Sequence, residues 1–340
     1  MIVRKLKILL RRIKSMSLKR MFNVINAVHI LYGANRVRVF FDMIFCAFKY
    51  SVGYLDYMVF GFAKIKGKKK RSTFMTMNHN LSLVRQKNDK NCVEIFNDKI
   101  LFNETFKQFI GRDFIDLRNS DANKLEKFLQ GKEFVFVKKT HTFGGQGIEK
   151  LKVADVCDYN QLYSELTENG QYLVEDAICQ HEKMNSLCAS SVNTIRMVTV
   201  INDGKAVFMY AVLRIGNGKG DVDNISSGGM YAPVNDEGVV TKPAFCDKQL
   251  KYFDVHPVSN QKIVGFEIPY FKEAVQMCKD AALVEKRMGY VGWDVAITAT
   301  GPVLVEGNNF PSYDMVQNYG HIENDTGIRP KFEKTLGIKL

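Results

Sequence analysis

Two apolar runs near the C-terminus carry polar residues that buried strands seldom tolerate. "VGWDVAIT" holds Asp294, "PVLVEGN" holds Glu306 and Asn308, and "ATG" between them reads as a hairpin loop. With the turn centred near residue 300, the two-residue period of a strand sets Asp294 opposite Glu306 and puts Asn308 on the same face. Burying a carboxylate is costly unless something pairs with it. Two carboxylates and an amide on one face suit Mg2+, a hard cation that takes oxygen ligands and keeps coordination positions for water and substrate phosphates. A satisfied polar network, or carboxylates capping a nearby arginine, is the competing reading of the same residues.

Three other stretches offer cations and flexible backbone. "EFVFVKKTHTFGGQGIEKL" is a β-branched and aromatic strand ending in Lys138 and Lys139, followed by a loop with Gly144, Gly145 and Gly147. Such a loop can close over phosphates with its N–H groups exposed, while a lysine at the strand end supplies charge. The spacing matches neither GxGxxG nor GxxxxGK[ST], and a glycine-rich hairpin can equally be a structural turn. "NDKILFNETFKQFI" predicts a helix over 97–110 with Lys99 in its first turn. A cation there opposes the helix dipole and hints at an anionic ligand, although surface lysines are common. "SVNTIRMVTVI" and "KAVFMYAVLRI" form a hairpin across Asn202-Asp203-Gly204. In its simplest register Arg196 faces a position near 211 and Arg214 one near Asn193, on opposite faces; a bulge would bring them together. "DNISSGG" (223–229) is a second polar, glycine-rich loop.

The elements that must position these groups alternate from about residue 72 onward. A helix is expected at 160–169, a strand at 172–178, and a helix at 270–289 leading into the C-terminal hairpin. The whole chain, 340 residues with a net charge of +12, is long enough for two or three subdomains. Its charge is concentrated: residues 1–71 hold 17 Lys and Arg against Asp42 and Asp56, whereas the remainder has 31 basic and 34 acidic residues. That distribution argues against a nucleic-acid groove running through the protein. The seven cysteines lack a CxxC pair, which predicts free thiols and a reducing compartment, and "HEKMN" lacks the second histidine of a zinc helix. At the N-terminus, Ile2, Leu6, Leu9, Ile13 and Met16 fall on one helical face with Arg and Lys on the other. Arginines interrupt this segment too early for a cleavable signal peptide, and no apolar run is long enough to span a bilayer. Two readings of residues 1–71 stand: a basic amphipathic surface on an anionic membrane or near a polyanionic substrate, or helices packed on the body with solvated charges. "KGKKKR" (66–71) marks the boundary.

The order of these parts resembles the ATP-grasp superfamily, and most closely the sugar-transfer-associated ATP-grasp family found with polysaccharide biosynthesis. The likeness runs from "GYLDYMVFGF" through "VFVKKTHTFGGQGI", "LVEDAICQH", "SVNTIRMVT" and "LRIGNGKGDVDNISSGGM" to "GWDVAITATGPVLVEGN". More distantly, the order R…AxxR…N…GG…D…ExN is similar to ligases that add glutamate to a carboxyl group. The resemblance implies an α+β ATP-grasp fold, two α+β lobes clamping ATP, behind a basic helical N-terminal region. The implied parts are 1–71 (basic and helical), 72–130 (linker and start of the catalytic body), 131–180 (small lobe with glycine lid) and 181–340 (C-terminal lobe with the Mg2+ site). Lys99 and Lys138 would hold ATP phosphates beneath Gly144, Gly145 and Gly147. Glu175, Ala177 and Ile178 would lie on the adenine-binding strand, with His181 near the ribose. Arg196, Arg214 and Asn224 would stabilise the transferred phosphoryl group, and Asp294, Glu306 and Asn308 would bind Mg2+. Lys139 stands where the family often has proline, so it competes with Lys138, and Glu182 competes with His181. The implied activity joins a carboxylate to an amine through an acyl phosphate, releasing ADP and phosphate. The partners would be small carboxylates and amines, including a sugar nucleotide, lipid-linked sugar or glycan, in the cytoplasm or at the inner face of its membrane. A kinase on a sugar-type substrate and an inactive nucleotide-binding module are the alternatives.

Overall fold

The computed structural model describes residues 17–142, 146–218 and 228–340. The chain divides into two units, residues 1–79 with 313–330, and residues 80–312 with 331–340. The basic N-terminal segment 1–16 and the loop positions Gly144, Gly145 and Asn224 lie outside the described residues.

The first unit is helical. Helix α1 (Leu18–Tyr32) starts where the Ser17 side chain accepts from the Arg20 amide, and it ends at Gly33, which takes the left-handed conformation favoured by glycine. Asn35 then caps α2 (Arg36–Tyr50) by accepting from the Val37 and Arg38 amides, so the short Gly-Ala-Asn link closes a helical hairpin. A short helix, α3 (Tyr54–Val59), follows. Segment 313–330 belongs to this unit rather than to a C-terminal lobe, because the Gln317 side chain bonds the Met75 backbone through both its oxygen and its amide nitrogen. Asp42 is gripped by Arg71, Lys66 and Tyr57, which ties α2 to α3 and to the basic boundary segment 66–71.

The second unit contains two antiparallel sheets. Helix α4 (Lys99–Thr105) is capped by Asp98, whose side chain accepts from the Ile100 and Leu101 amides. The expected continuous helix breaks at Phe106 and resumes over Lys107–Ile110. The smaller sheet has the order β1-β4-β2-β3, from Phe114–Asp116, Leu173–Asp176, Phe134–Lys138 and Ile148–Lys152. Its β1 lies ahead of the boundary expected at residue 131. Helices α5 (Ala122–Leu129) and α6 (Tyr159–Glu168) cover it through Leu125, Leu129 and Leu166.

The larger sheet has seven strands in the order β11-β10-β5-β6-β7-β8-β9. Its centre is built from β5 (Ile195–Asn202), β6 (Lys205–Ile215), β10 (Tyr290–Thr298) and β11 (Gly301–Asn308). Strands β7 (Met230–Val234), β8 (Ala244–Cys246) and β9 (Lys251–Phe253) complete it. Helix α7 (Phe271–Ala282) packs on the sheet through Ala274, Cys278 and Ala281, one helical face, and stops seven residues before the expected Gly289. Residues 283–289 turn instead, and Gly289 donates its amide to Lys87.

Two bulges decide which side chains meet on this sheet. In β5–β6 the pairing shifts between Val198 and Thr199, so Arg196 pairs with Val212 and shares a face with Arg214. In β10–β11 the turn pairs Thr298 with Gly301, and a shift between Asp294 and Val295 restores Asp294 opposite Glu306. Without that extra residue, Asp294 would face Val305 and Glu306 would point to the other side of the sheet.

Candidate active site

On the larger sheet, Asp294 sits between two cations. Arg196, its direct cross-strand partner, donates through Nε to Oδ1 and through Nη2 to Oδ2 at 2.9 Å, and Arg214 donates through Nη1 to Oδ2 at 2.9 Å. Burial alone would raise the Asp294 pKa, but attraction to Arg196 and then Arg214 outweighs it and holds the carboxyl below its ordinary value. Glu306 has the opposite fate. Burial and then the neighbouring Asp294 charge push its pKa up, and it forms no ion pair with a described residue. The Asp294 charge disfavours a second negative charge at Glu306, and a divalent cation placed beside Glu306 would offset that repulsion.

Glu306 and Asn308 open onto a cavity of about 60 Å3. Across it stand Lys99 from α4 and Lys138 from the end of β2, with Glu175, Thr142, Ile148 and Leu173. The cavity therefore has walls from both sheets. Lys138 ion-pairs with Glu175, and Lys99 donates to the Thr142 carbonyl. Burial is the main reason the Lys99 pKa falls, and Lys138 beside it adds to the fall while Glu306 opposes it. Thr142 and Glu175 thus hold the two lysines at the wall of the cavity.

Glu175 is the hub of the lysine side. It accepts from Asn103 at 3.0 Å, pairs with Lys138, and lies 3.1 Å from Arg112 Nε. Burial would raise its pKa, yet Arg112 and Lys138 together bring it down to about 2. Arg112 also donates to the Leu304 carbonyl at 2.7 Å and to the Val305 carbonyl at 3.3 Å. The bulge leaves Val305 without a pairing partner on β10, and Arg112 takes up that carbonyl while bridging to the smaller sheet.

Several expected residues thus converge: Lys99, Lys138, Glu175, Glu306 and Asn308 line one cavity, with Asp294, Arg196 and Arg214 behind Glu306. Lys138 rather than Lys139 faces it. Lys139 instead lies against Gly147, where a Cβ would come within 2.8 Å of its side chain, and its amide donates to the Gly147 carbonyl. Gly147 adopts φ +67°, so its conformation and its close packing both call for glycine. Ala177 and Ile178 do not reach the lysine cavity; they line another of about 320 Å3 with Arg112, Thr298, Thr300 and Val303. The Arg112–Glu175 pair links the walls of the two. His181 caps a short helix, accepting from the Lys183 amide at 3.0 Å through Nδ1, and its ring meets Tyr270 edge-on. Sequence reasoning missed Arg112, Asn103 and Thr142. Only a carboxylate at 175 needing cations could have pointed to Arg112, and its partner lies 63 residues away along the chain.

The donor set fits Mg2+ in part. Glu306 and Asn308 present oxygens to the cavity, whereas both Asp294 oxygens are occupied by arginines. Among the described residues no three His, Cys, Asp or Glu side chains form a metal cluster. A metal here would rest on Glu306, Asn308, water and phosphate oxygens, with Asp294 joining only if an arginine shifts.

The site's frame is a two-sheet α+β unit, with Lys138 at a strand end of the smaller sheet, Lys99 on a helix beside it, and Glu306 and Asn308 on the larger sheet. The family described as sugar-transfer associated ATP-grasp matches residues 78–336, and the chain belongs to it. No curated protein matches in sequence. Among solved structures, the chain is similar to the ATP-grasp ligase PsnB complexed with precursor peptide PsnA2 and AMPPNP: 12% identity, TM-score 0.40, covering 76% of this chain and 65% of that one. It is similar to the D-alanine-D-alanine ligase from Coxiella burnetii at 11% identity and TM-score 0.38, covering 71% and 52%. It is also similar to the D-cycloserine synthetase DcsG at 13% identity and TM-score 0.41, covering 66% of each chain. The chain spans between about half and two thirds of the length of these proteins.

Proposed function

We propose that this protein is an ATP-dependent carboxylate–amine ligase that attaches an amino acid or similar group to a sugar or glycan precursor. The observation that carries the reading is the single cavity in which Lys99 and Lys138 face Glu306 and Asn308. Cations on one wall suit phosphate oxygens, and acidic and amide oxygens on the other suit a divalent cation. Mg2+, when bound, neutralises charge on the triphosphate.

The chain's own groups divide the remaining work. Lys99 and Lys138 bind the phosphates, and Glu175, anchored by Arg112 and Asn103, keeps Lys138 aimed at the cavity. The base lies against Ala177 and Ile178, His181 or Glu182 serves the ribose, and Gly144 and Gly145, outside the described residues, are assigned to the phosphates on the resemblance alone. Arg196 and Arg214, with Asn224, bear the charge that spreads over the transferred phosphoryl group as the substrate carboxylate attacks it and the bond to the departing ADP breaks. An amine then captures the acyl phosphate, giving an amide and releasing phosphate. The family's association with sugar transfer supports a sugar-derived acceptor, and the charge of residues 1–71 supports peripheral placement at an anionic, cytoplasmic membrane face.

The test is phosphate release from purified protein with ATP, Mg2+, and pools of uronic acids, amino sugars and amino acids. Release that requires both a carboxylate and an amine is expected. A stable phosphorylated product from one substrate would instead establish a kinase, and no ATP turnover with any pair would sink the ligase.

A further inference from the structure

Helix α2 has two apolar faces, and the fold buries only one. Val39, Met43 and Cys46 are buried inside the unit. Val37, Phe41, Ile44 and Phe48 recur at helical spacing on another face and are exposed, Phe41 by 64% and Phe48 by 60%, with Phe45 beside them at 52%. Helix α1 adds exposed Phe22 and Ile30. A helix packed on a protein needs one apolar stripe; the second touches the unit edge-on, Phe41 against Phe40 and Phe45 against Tyr50, and leaves most of its ring surface exposed. Scattered exposed apolar residues are ordinary, whereas a stripe of large ones on a single helix marks an interaction surface.

The charge around the stripe selects the occupant. Lys19, Arg20, Arg36, Arg38 and Lys49 are all exposed on the same two helices. The one acid there, Asp42, is already held by Arg71, Lys66 and Tyr57. Residues 1–16 add six more Lys and Arg and no acid, so that segment, like a second copy of this face, would meet like charge if it covered the stripe. No described helix is long and apolar enough to cross a membrane. We propose that the α1–α2 hairpin lies in the interface of an anionic lipid bilayer, with Phe41, Ile44, Phe45 and Phe48 inserted at the acyl boundary and the flanking cations at the headgroups. This rests on the peripheral placement proposed above and names the surface that performs it, without depending on the ligase chemistry.

The experiment is flotation of the full chain with phosphatidylglycerol/phosphatidylcholine vesicles and with pure phosphatidylcholine. Binding to the anionic vesicles is expected, with about a hundredfold or greater loss of partitioning in the triple variant Phe41→Ser, Phe45→Ser, Phe48→Ser. Because these rings are mostly exposed, the thermal unfolding of that variant should stay close to wild type, lowered only by loss of the Phe41–Phe40 and Phe45–Tyr50 contacts. Separately, Phe48→Trp should show blue-shifted added emission with anionic vesicles, measured against the buried Trp293 background. Wild type that stays with neither vesicle, a triple variant that binds equally well, or an unshifted Phe48→Trp each overturns the proposal. A wild-type dimer in solution that the triple variant dissociates, without vesicle binding, would overturn it in favour of self-association.

Discussion

Arg71 in the helical unit and Arg196 in the sheet unit each grip a carboxylate, but one network is closed and the other is open. Arg71 spends all five N–H groups: Nε on the Ile65 carbonyl, Nη1 on Asp42 and Cys46, and Nη2 on Asp42 and the Phe62 carbonyl. Burial works against ionisation of Asp42, yet bonds from Arg71, Lys66 and Tyr57 hold it well below the usual carboxylate range. Nothing is left over for a ligand. Around Asp294 the balance differs: two arginines satisfy one carboxylate, while a second, Glu306, is pressed against it with its pKa raised and its edge open to a cavity. A closed network fixes structure; an open one with a surplus carboxylate is prepared for a cation.

The largest effect that sharpens this contrast is expected from Glu306→Gln. Losing the surplus charge should cut Mg2+-dependent ATP turnover on the order of a thousandfold, while thermal unfolding stays level or rises because repulsion with Asp294 is relieved. Unchanged turnover would remove Glu306 from the metal assignment. Arg71→Ala should do the reverse, lowering stability in urea unfolding by roughly 3 kcal/mol through the orphaned Asp42 while turnover per folded molecule holds. A specific loss of turnover there would break the distinction between the two networks. Glu175→Gln is expected to raise the KM for ATP about tenfold with a smaller change in kcat, since Lys138 loses its guide but keeps its charge. A kcat-only effect would contradict a positioning role.

The smallest effect concerns Asp56, a carboxylate with no cation in its hydrogen-bond set. Burial, and then the Asp314 charge, raise its pKa from 3.8 to about 7, and Tyr313 Oη lies 3.1 Å from both its oxygens. The folded chain therefore holds a proton that the unfolded chain releases between about pH 4 and 7, so this group's contribution to stability falls as pH rises through that window. Asp56→Asn should stabilise the protein by roughly 1–2 kcal/mol at pH 8, with the gain shrinking at pH 5. An equal gain at both pH values, read from urea unfolding, would show that charge is not the cause.

The sequence alone determined the elements and the chemical inventory. The apolar runs "VGWDVAIT" and "PVLVEGN" on either side of "ATG" specified a hairpin, and Asn202-Asp203-Gly204 specified another, because strand length and turn chemistry are local properties. The pairing of Asp294 with Glu306 was legible, and all seven cysteines are free as their spacing implied. Tertiary structure decided who meets whom. The bulge at Val198–Thr199 puts Arg196 and Arg214 on one face, and the one at Asp294–Val295 keeps Glu306 opposite Asp294; a one-residue slip leaves no mark in a run of apolar residues. The choice of Lys138 over Lys139 and the use of Arg112 were equally hidden, since both depend on contacts between distant segments. Local spacing encodes a strand's faces, but only packing decides which face becomes a site.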